Sequence, residues 1–262
     1  MVELITLDGR SAWLKRYGGG QRWLALRALD GIARRLDAQA LRPPPHHAGA
    51  HAKQVELRRL SELESQGVPV PAVLGEGSDT LILDDQGPTL ASHLRTAQAD
   101  PQRLDALAAT AARAIHDAHR RGAYLGQPLP RNMTFDGERI GFIDFEEDPL
   151  EVMTLQQAQA RDWLMFSYGA SRYYARRPQA LAAVLKGTLA SEDPAVSGHA
   201  HHVTTRLQRV ARISQHFGRS ARVLAQAIFI VHGATTFALA VVGLLLLDWF
   251  IDGELDLLLA LT

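Results

Sequence analysis

Asn132 and Asp144 stand twelve residues apart, each beside an apolar run of β-type residues, with Asp136-Gly137 between them. An Asp-Gly pair between two such runs is a turn signal, so the segment reads as a hairpin carrying an amide and a carboxylate. The amide oxygen of Asn132 and the carboxylate of Asp144 can converge on one hard cation. Mg2+ takes oxygen ligands and is usually shared with substrate phosphates, so the chemistry implied is that of a phosphoryl-transfer site.

The stretch around this hairpin, GAYLGQPLPRNMTFDGERIGFIDFE from Gly122 to Glu146, resembles the catalytic and metal-binding loops of the eukaryotic-like kinases. It is most similar to those of the small bacterial lipopolysaccharide-core and Kdo kinases, whose loop reads roughly G-x-Y-H-x-D-L-x-x-x-N-I-L-L. The register is gapless. Asn132 falls on the family's metal-binding Asn, and Asp144, in Ile143-Asp144-Phe145-Glu146, falls on its metal-binding Asp. Gln127 stands where the family has its catalytic Asp, and Leu125 where it has the loop His.

Three more segments fit the same resemblance, which covers about residues 1 to 175. Ser11-Ala12-Trp13-Leu14-Lys15-Arg16-Tyr17 looks like the family's third strand, with Lys15 at the position that contacts the nucleotide α- and β-phosphates. Residues 52–71 look like the αC helix and its exit, with Glu56 as the partner for Lys15 and Glu62 as the fallback. Gln159-Ala160-Arg161-Asp162-Trp163-Leu164 resembles the start of the αF helix, which gives Asp162 a structural role in holding the catalytic loop by its backbone.

The resemblance implies an α+β, two-lobed kinase-like fold. A reduced N-lobe would span residues 1–85 and a helical C-lobe residues 86–217, with a C-terminal apolar helix in 218–262. It implies ATP and Mg2+ as ligands. Gln127 can orient a hydroxyl through its carbonyl but carries no charge and is a poor base; general-base assistance is worth roughly 10²–10⁴ in rate. Three functions follow as alternatives. The chain is a degenerate kinase that binds ATP and Mg2+ in a regulatory or scaffolding role; or it is an active phosphotransferase on a saccharide or glycolipid of the cell envelope, with Glu146, Glu147 or Asp117 replacing the base; or it is a kinase-fold interaction protein with no nucleotide. A changed nucleotide orientation, with another group transferred, also stays open.

Composition bounds these readings. The chain has 262 residues, 28 Lys and Arg against 28 Asp and Glu, and no cysteine. Zero formal net charge argues against a nucleic-acid-binding protein that works through a broad basic surface. Without cysteine there is no disulfide framework and no thiolate zinc site. The histidines at 46, 47 and 51 lie in a Pro-rich linker and those at 199, 201 and 202 in a Gly/Ala stretch, and both sets read as loop residues rather than metal ligands.

The N-terminal stretch MVELITLDGRSAWLK carries acidic and polar residues where an export signal needs a basic and then an apolar region. From Ala227 to Leu247, 21 residues carry no Asp, Glu, Lys or Arg. About 20 such residues cross a hydrocarbon core of roughly 30 Å as a helix. Arginines precede the run and acids follow it, so the expectation is an inner-membrane tail anchor with the body in the cytoplasm. The alternative is an apolar helix buried in the fold. Helices are further expected over residues 21–41, 52–66 and 104–121.

Overall fold

The computed structural model describes residues 1–18, 35, 38–214, 222–223 and 225–236. The helix expected over 21–41 lies mostly outside the described residues. Strands β1 (Val2–Leu7) and β2 (Arg10–Arg16) form a hairpin whose turn residues Asp8 and Gly9 both have positive φ, 48° and 78°. That is the backbone a two-residue turn between twisted strands requires, and Asp and Gly reach it at low cost. Helix α1 (Gly49–Ser65) follows, then β3 (Val73–Glu76) and β4 (Thr80–Asp84). The four strands make one antiparallel sheet in the order β1-β2-β4-β3, with Lys15 opposite Leu81.

Beyond the sheet the chain is mainly helical. Helix α2 (Leu90–Thr96) is capped by the Thr89 hydroxyl, and α3 (Pro101–Arg120) by the Asp100 carboxylate, with Pro101 in its first turn. A short hairpin of β5 (Met133–Phe135) and β6 (Ile140–Phe142) comes next, and its turn is closed by Asp136 Oδ1, which accepts from the amides of Glu138 and Arg139 at 2.8 and 2.7 Å. Helix α4 (Leu155–Ser171) opens with a reciprocal Thr154–Gln157 capping box. Helices α5 (Pro178–Ala190) and α6 (Pro194–Ser214) follow. One core runs through the described residues, from Leu63 and Leu81 at the sheet through Ile115, Phe142, Trp163 and Phe166 to Leu185 and Val203.

Two expectations are corrected here. The fold is α+β, but among the described residues no helix is long and apolar enough to cross a membrane. The described part of the expected anchor, residues 227–236, is helical and packs into the body: Ala227, Ile228, Ile230, Val231 and Ala234 are buried, and all but Ala227 belong to the common core. Its polar residues face protein as well. Thr235 is fully buried and donates to Val231 O at 2.8 Å, and the His232 ring stacks on His201 of α6 with centroids 4.6 Å apart. An apolar run with hydroxyls and an imidazole matched to a neighbouring helix is satisfied by protein rather than lipid. Residues 237–247 of the expected span lie outside the described residues.

The second correction concerns His199, His201 and His202, expected in a loop. They lie within α6, whose start is set by Pro194 and by Asp193 Oδ1 accepting from Ala195 N at 2.7 Å. Local capping outweighs the Gly and Ala content that suggested a loop.

Packing of residues 225–236 predicts the effect of a charge in that stretch. Val231→Asp, which puts a carboxylate at a fully buried position, should cost about 3 kcal/mol or more and lower the thermal midpoint of the whole body. An unchanged midpoint would mean that this stretch does not pack on the body.

Candidate functional site

Lys15 is the centre of the site. It lies on β2, the inner arm of the β1–β2 hairpin, and its side chain leaves the sheet on the face covered by α1. Its ammonium meets three carboxylates: Glu56 Oε2 on α1 at 2.7 Å, Asp144 Oδ1 at 2.9 Å and Glu146 Oε1 at 2.9 Å. Burial by itself would drive the ammonium towards neutrality, and the charges of Glu56, Asp144 and Glu146 more than reverse that, so its pKa lies above the ordinary lysine value. Glu56 is almost wholly buried, and burial raises its carboxyl despite Lys15 and Tyr17. The Tyr17 hydroxyl donates to Glu56 Oε2 at 2.5 Å, and Phe145 N donates to Oε1 at 3.4 Å. Glu62, the fallback partner, is taken up instead by Arg59 at 2.7 Å.

The hairpin delivers the other groups. Ile143 N donates to Asn132 O at 2.9 Å, extending the β5–β6 ladder by one step, so Asp144 follows the residue opposite Asn132. Asp144 has φ 74°, a left-handed conformation that Asp tolerates better than most residues. Asn132 is buried at the end of a 3-10 turn, Pro130–Asn132, and its amide nitrogen donates to Gln127 O at 3.1 Å. Spending the nitrogen on the loop backbone leaves the amide oxygen as the atom suited to a cation.

The loop itself hangs on Asp162. This fully buried carboxylate on α4 accepts from Leu125 N and Gly126 N, both at 2.7 Å, and faces His119 Nε2 at 3.2 Å. The other nitrogen of His119 meets Glu192 Oε2 at 2.8 Å, and Glu192 also accepts from Trp163 Nε1 at 2.8 Å. Burial lowers the His119 pKa, but the two carboxylates outweigh it and raise it to about 9. Gly126, with φ 80°, supplies the left-handed turn that aims its amide at Asp162. Arg161, also buried, donates to Gly126 O at 3.2 Å, and Gln159 donates to Ala123 O at 2.8 Å.

Gln127 does not stand alone. Its amide nitrogen donates to Glu147 Oε2 at 2.7 Å, and Glu147 lies 3.9 Å from His46 Nδ1. Burial pushes the Glu147 carboxyl above the ordinary glutamate range against the opposing pull of Arg161, His46 and Gln127. Asp117, another candidate acid, is exposed on α3. His51, expected in the linker, lies in α1, where His47 stacks on it at 3.9 Å and also meets Glu151 at 2.9 Å, so the linker before α1 is held by side chains. Tyr17 and Arg161 are the members of the site that sequence reasoning passed over, and Glu146, expected as a substitute base, is instead paired with Lys15. Tyr17 was detectable: it lies two residues beyond Lys15, where extended chain returns to the same face.

No family model matches the chain. A stretch of 91 residues is 31% identical to an uncharacterized protein of Haemophilus influenzae, a match covering 35% of this chain and 38% of that relative. The matched part thus spans well under half of either protein, and the relative carries no description of activity.

The Asp162 network makes two predictions. Asp162→Ala strands two buried amides and the His119 cation, each amide alone costing about 1–3 kcal/mol, and should unfold the protein at markedly lower denaturant. The second concerns pH. His119 has a raised folded pKa, so its contribution is fully present below the unfolded value near 6.5 and is lost as pH rises through about 9. The thermal midpoint should therefore fall between pH 7 and pH 10, and His119→Gln should flatten that slope. Equal slopes in both proteins would refute the assignment.

Proposed function

We propose that this protein binds a nucleoside triphosphate together with Mg2+ at the Lys15 cluster, as a member of the eukaryotic-like kinase superfamily similar to the lipopolysaccharide-core and Kdo kinases. The observation that carries the proposal is the convergence of Lys15, Glu56 and Asp144 from three distant segments, with Lys15 Nζ within 2.9 Å of each carboxylate. Lys15 would bear on the α- and β-phosphates, Glu56 would hold Lys15, and Asn132 and Asp144 would hold the metal.

The donor set suits that metal. Asn132 and Asp144 offer only hard oxygens, which Mg2+ prefers, and it keeps several waters and phosphate oxygens as its remaining ligands. Charge supports the same view. Three carboxylates surround one ammonium at Lys15, and such a mouth repels a bare triphosphate but accepts one whose charge is offset by a dication. The Mg2+ ion would supply charge neutralisation and orientation of the phosphates. ATP is the nucleotide expected from the kinase resemblance, and the cytoplasm is the compartment in which such a body would work.

With Gln127 at the base position, a regulatory or scaffolding role fits this site. A second reading, phosphoryl transfer to a saccharide or glycolipid hydroxyl, is favoured by one feature: the Gln127 amide is hydrogen-bonded to a carboxylate, Glu147, at 2.7 Å.

Calorimetric titration of the full chain with ATP and Mg2+ tests the nucleotide site. Binding should be detectable, and Asp144→Asn and Lys15→Met should each weaken it about 10-fold or more, the equivalent of ~1.4 kcal/mol. Folded protein that takes up no heat with Mg-ATP, or variants that bind as well as the parent, would remove this reading.

A further inference from the structure

We propose that Glu147 is the general base of this site and that Gln127 is the residue that positions it. The inference rests on the nucleotide reading above and asks what replaces the carboxylate missing at position 127.

Three acids were candidates in the sequence, and the geometry separates them. Glu146 is committed to Lys15 at 2.9 Å. An oxygen occupied by the Lys15 ammonium is not free to face an acceptor hydroxyl. Asp117 is exposed on α3, two residues before the buried His119 whose ring faces the Asp162 network behind the loop. Only Glu147 touches the loop at the critical residue, with Gln127 Nε2 donating to its Oε2.

The surroundings of Glu147 suit the role. Its side chain is about a quarter exposed, at 23%, so it is sheltered but reachable. One oxygen is held by Gln127, and the other faces His46 at 3.9 Å. The charges around it are Arg161, His46 and the nearby Asp144. Burial makes the carboxylate more basic than an ordinary glutamate, which is the direction a base needs. Gln127 is itself oriented, because its backbone carbonyl accepts from Asn132 Nδ2 at 3.1 Å and from Leu129 N at 2.7 Å. An amide at 127 therefore has a use that a carboxylate there would lack. It donates to Glu147, where a second anion would repel it.

The acceptor oxygen, from an alcohol or water, forms a bond to the terminal phosphorus of the nucleoside triphosphate. The bond from that phosphorus to the bridging oxygen breaks, its electron pair leaving with the nucleoside diphosphate. The Glu147 carboxylate takes the proton that the acceptor oxygen gives up.

The test uses the full chain with Mg-ATP, water serving as acceptor, and compares the parent with Glu147→Gln and with the exchange variant Gln127→Glu/Glu147→Gln. Calorimetric affinity should stay within about 2-fold in both, while phosphate release in Glu147→Gln falls about 100-fold or more. The exchange variant, which returns a carboxylate from the other side of the pair, should recover about 10-fold of that loss. Release by the parent should rise with pH through a limb above the ordinary glutamate range, and this limb should be absent in Glu147→Gln. A readout independent of turnover is the Glu147 carboxyl carbon in 13C-labelled protein, whose titration should move in Gln127→Ala. Parent protein that binds Mg-ATP yet releases no phosphate, release that survives Glu147→Gln, or a Glu147 titration indifferent to Gln127 each overturns the assignment while leaving the nucleotide site intact. Loss of Mg-ATP binding in the parent itself overturns both.

Discussion

A single buried ammonium ties together segments that lie far apart in the chain. Lys15 joins the sheet to α1 through Glu56 and joins both to the stretch after the hairpin through Asp144 and Glu146. Taking a lysine and a glutamate out of water costs several kcal/mol per ion, and the attraction between them offsets this only when the remaining polar atoms are also satisfied. Here they are: Tyr17 and the Phe145 amide complete Glu56, and two further carboxylates complete Lys15. The arrangement is not an efficient way to hold a fold together, since apolar side chains of similar size would serve as well or better. Its surplus of negative charge, open to solvent on the Asp144 side where that side chain is 48% exposed, is the physical ground for reading it as a site.

The second buried network works on the loop rather than on the sheet. Asp162 collects two amides of the loop and one histidine, and that histidine is balanced by Glu192 from the turn before α6. The loop between α3 and β5 is thus fixed from behind by a carboxylate that has no access to solvent, while Gln127 and Asn132 stand on its front. Rigid support of this kind is what a binding site needs, because tenths of an ångström at the donor atoms decide affinity. Alkaline pH should loosen this support before it touches the Lys15 cluster, since Lys15 holds its proton far more tightly than His119.

Much of the local structure was legible in the chain. Asp8-Gly9 and Asp136-Gly137 marked the two hairpins, because their backbone preferences suit tight turns and little else. Helix α3 starts at Pro101, ahead of the expected 104, because the Asp100 carboxylate satisfies the first free amides and Pro101 suits the first turn. Other local signals misled. The Gly and Ala content around His199 suggested a loop, whereas capping at Asp193 and Pro194 begins a helix there. The apolar run after Ala227 suggested a membrane anchor, whereas its described part packs on α6. Hydropathy counts side chains one at a time and does not register that Thr235 and His232 meet partners on another helix.

The sequence by itself determined which residue types stand on which local element: a lysine on a strand, glutamates on a helix, an asparagine and an aspartate flanking a turn, and a glutamine in the loop before it. Residue type and local spacing are enough for that, since periodicity assigns each side chain to a face. Only the tertiary structure decided which of them meet. Glu56 rather than Glu62 reaches Lys15, Glu146 joins it, and Glu147 turns to Gln127. Those choices depend on how α1 lies on the sheet and how the chain bends at Asp144 with φ 74°, and such long-range geometry is set by packing of the whole core, which no local stretch encodes.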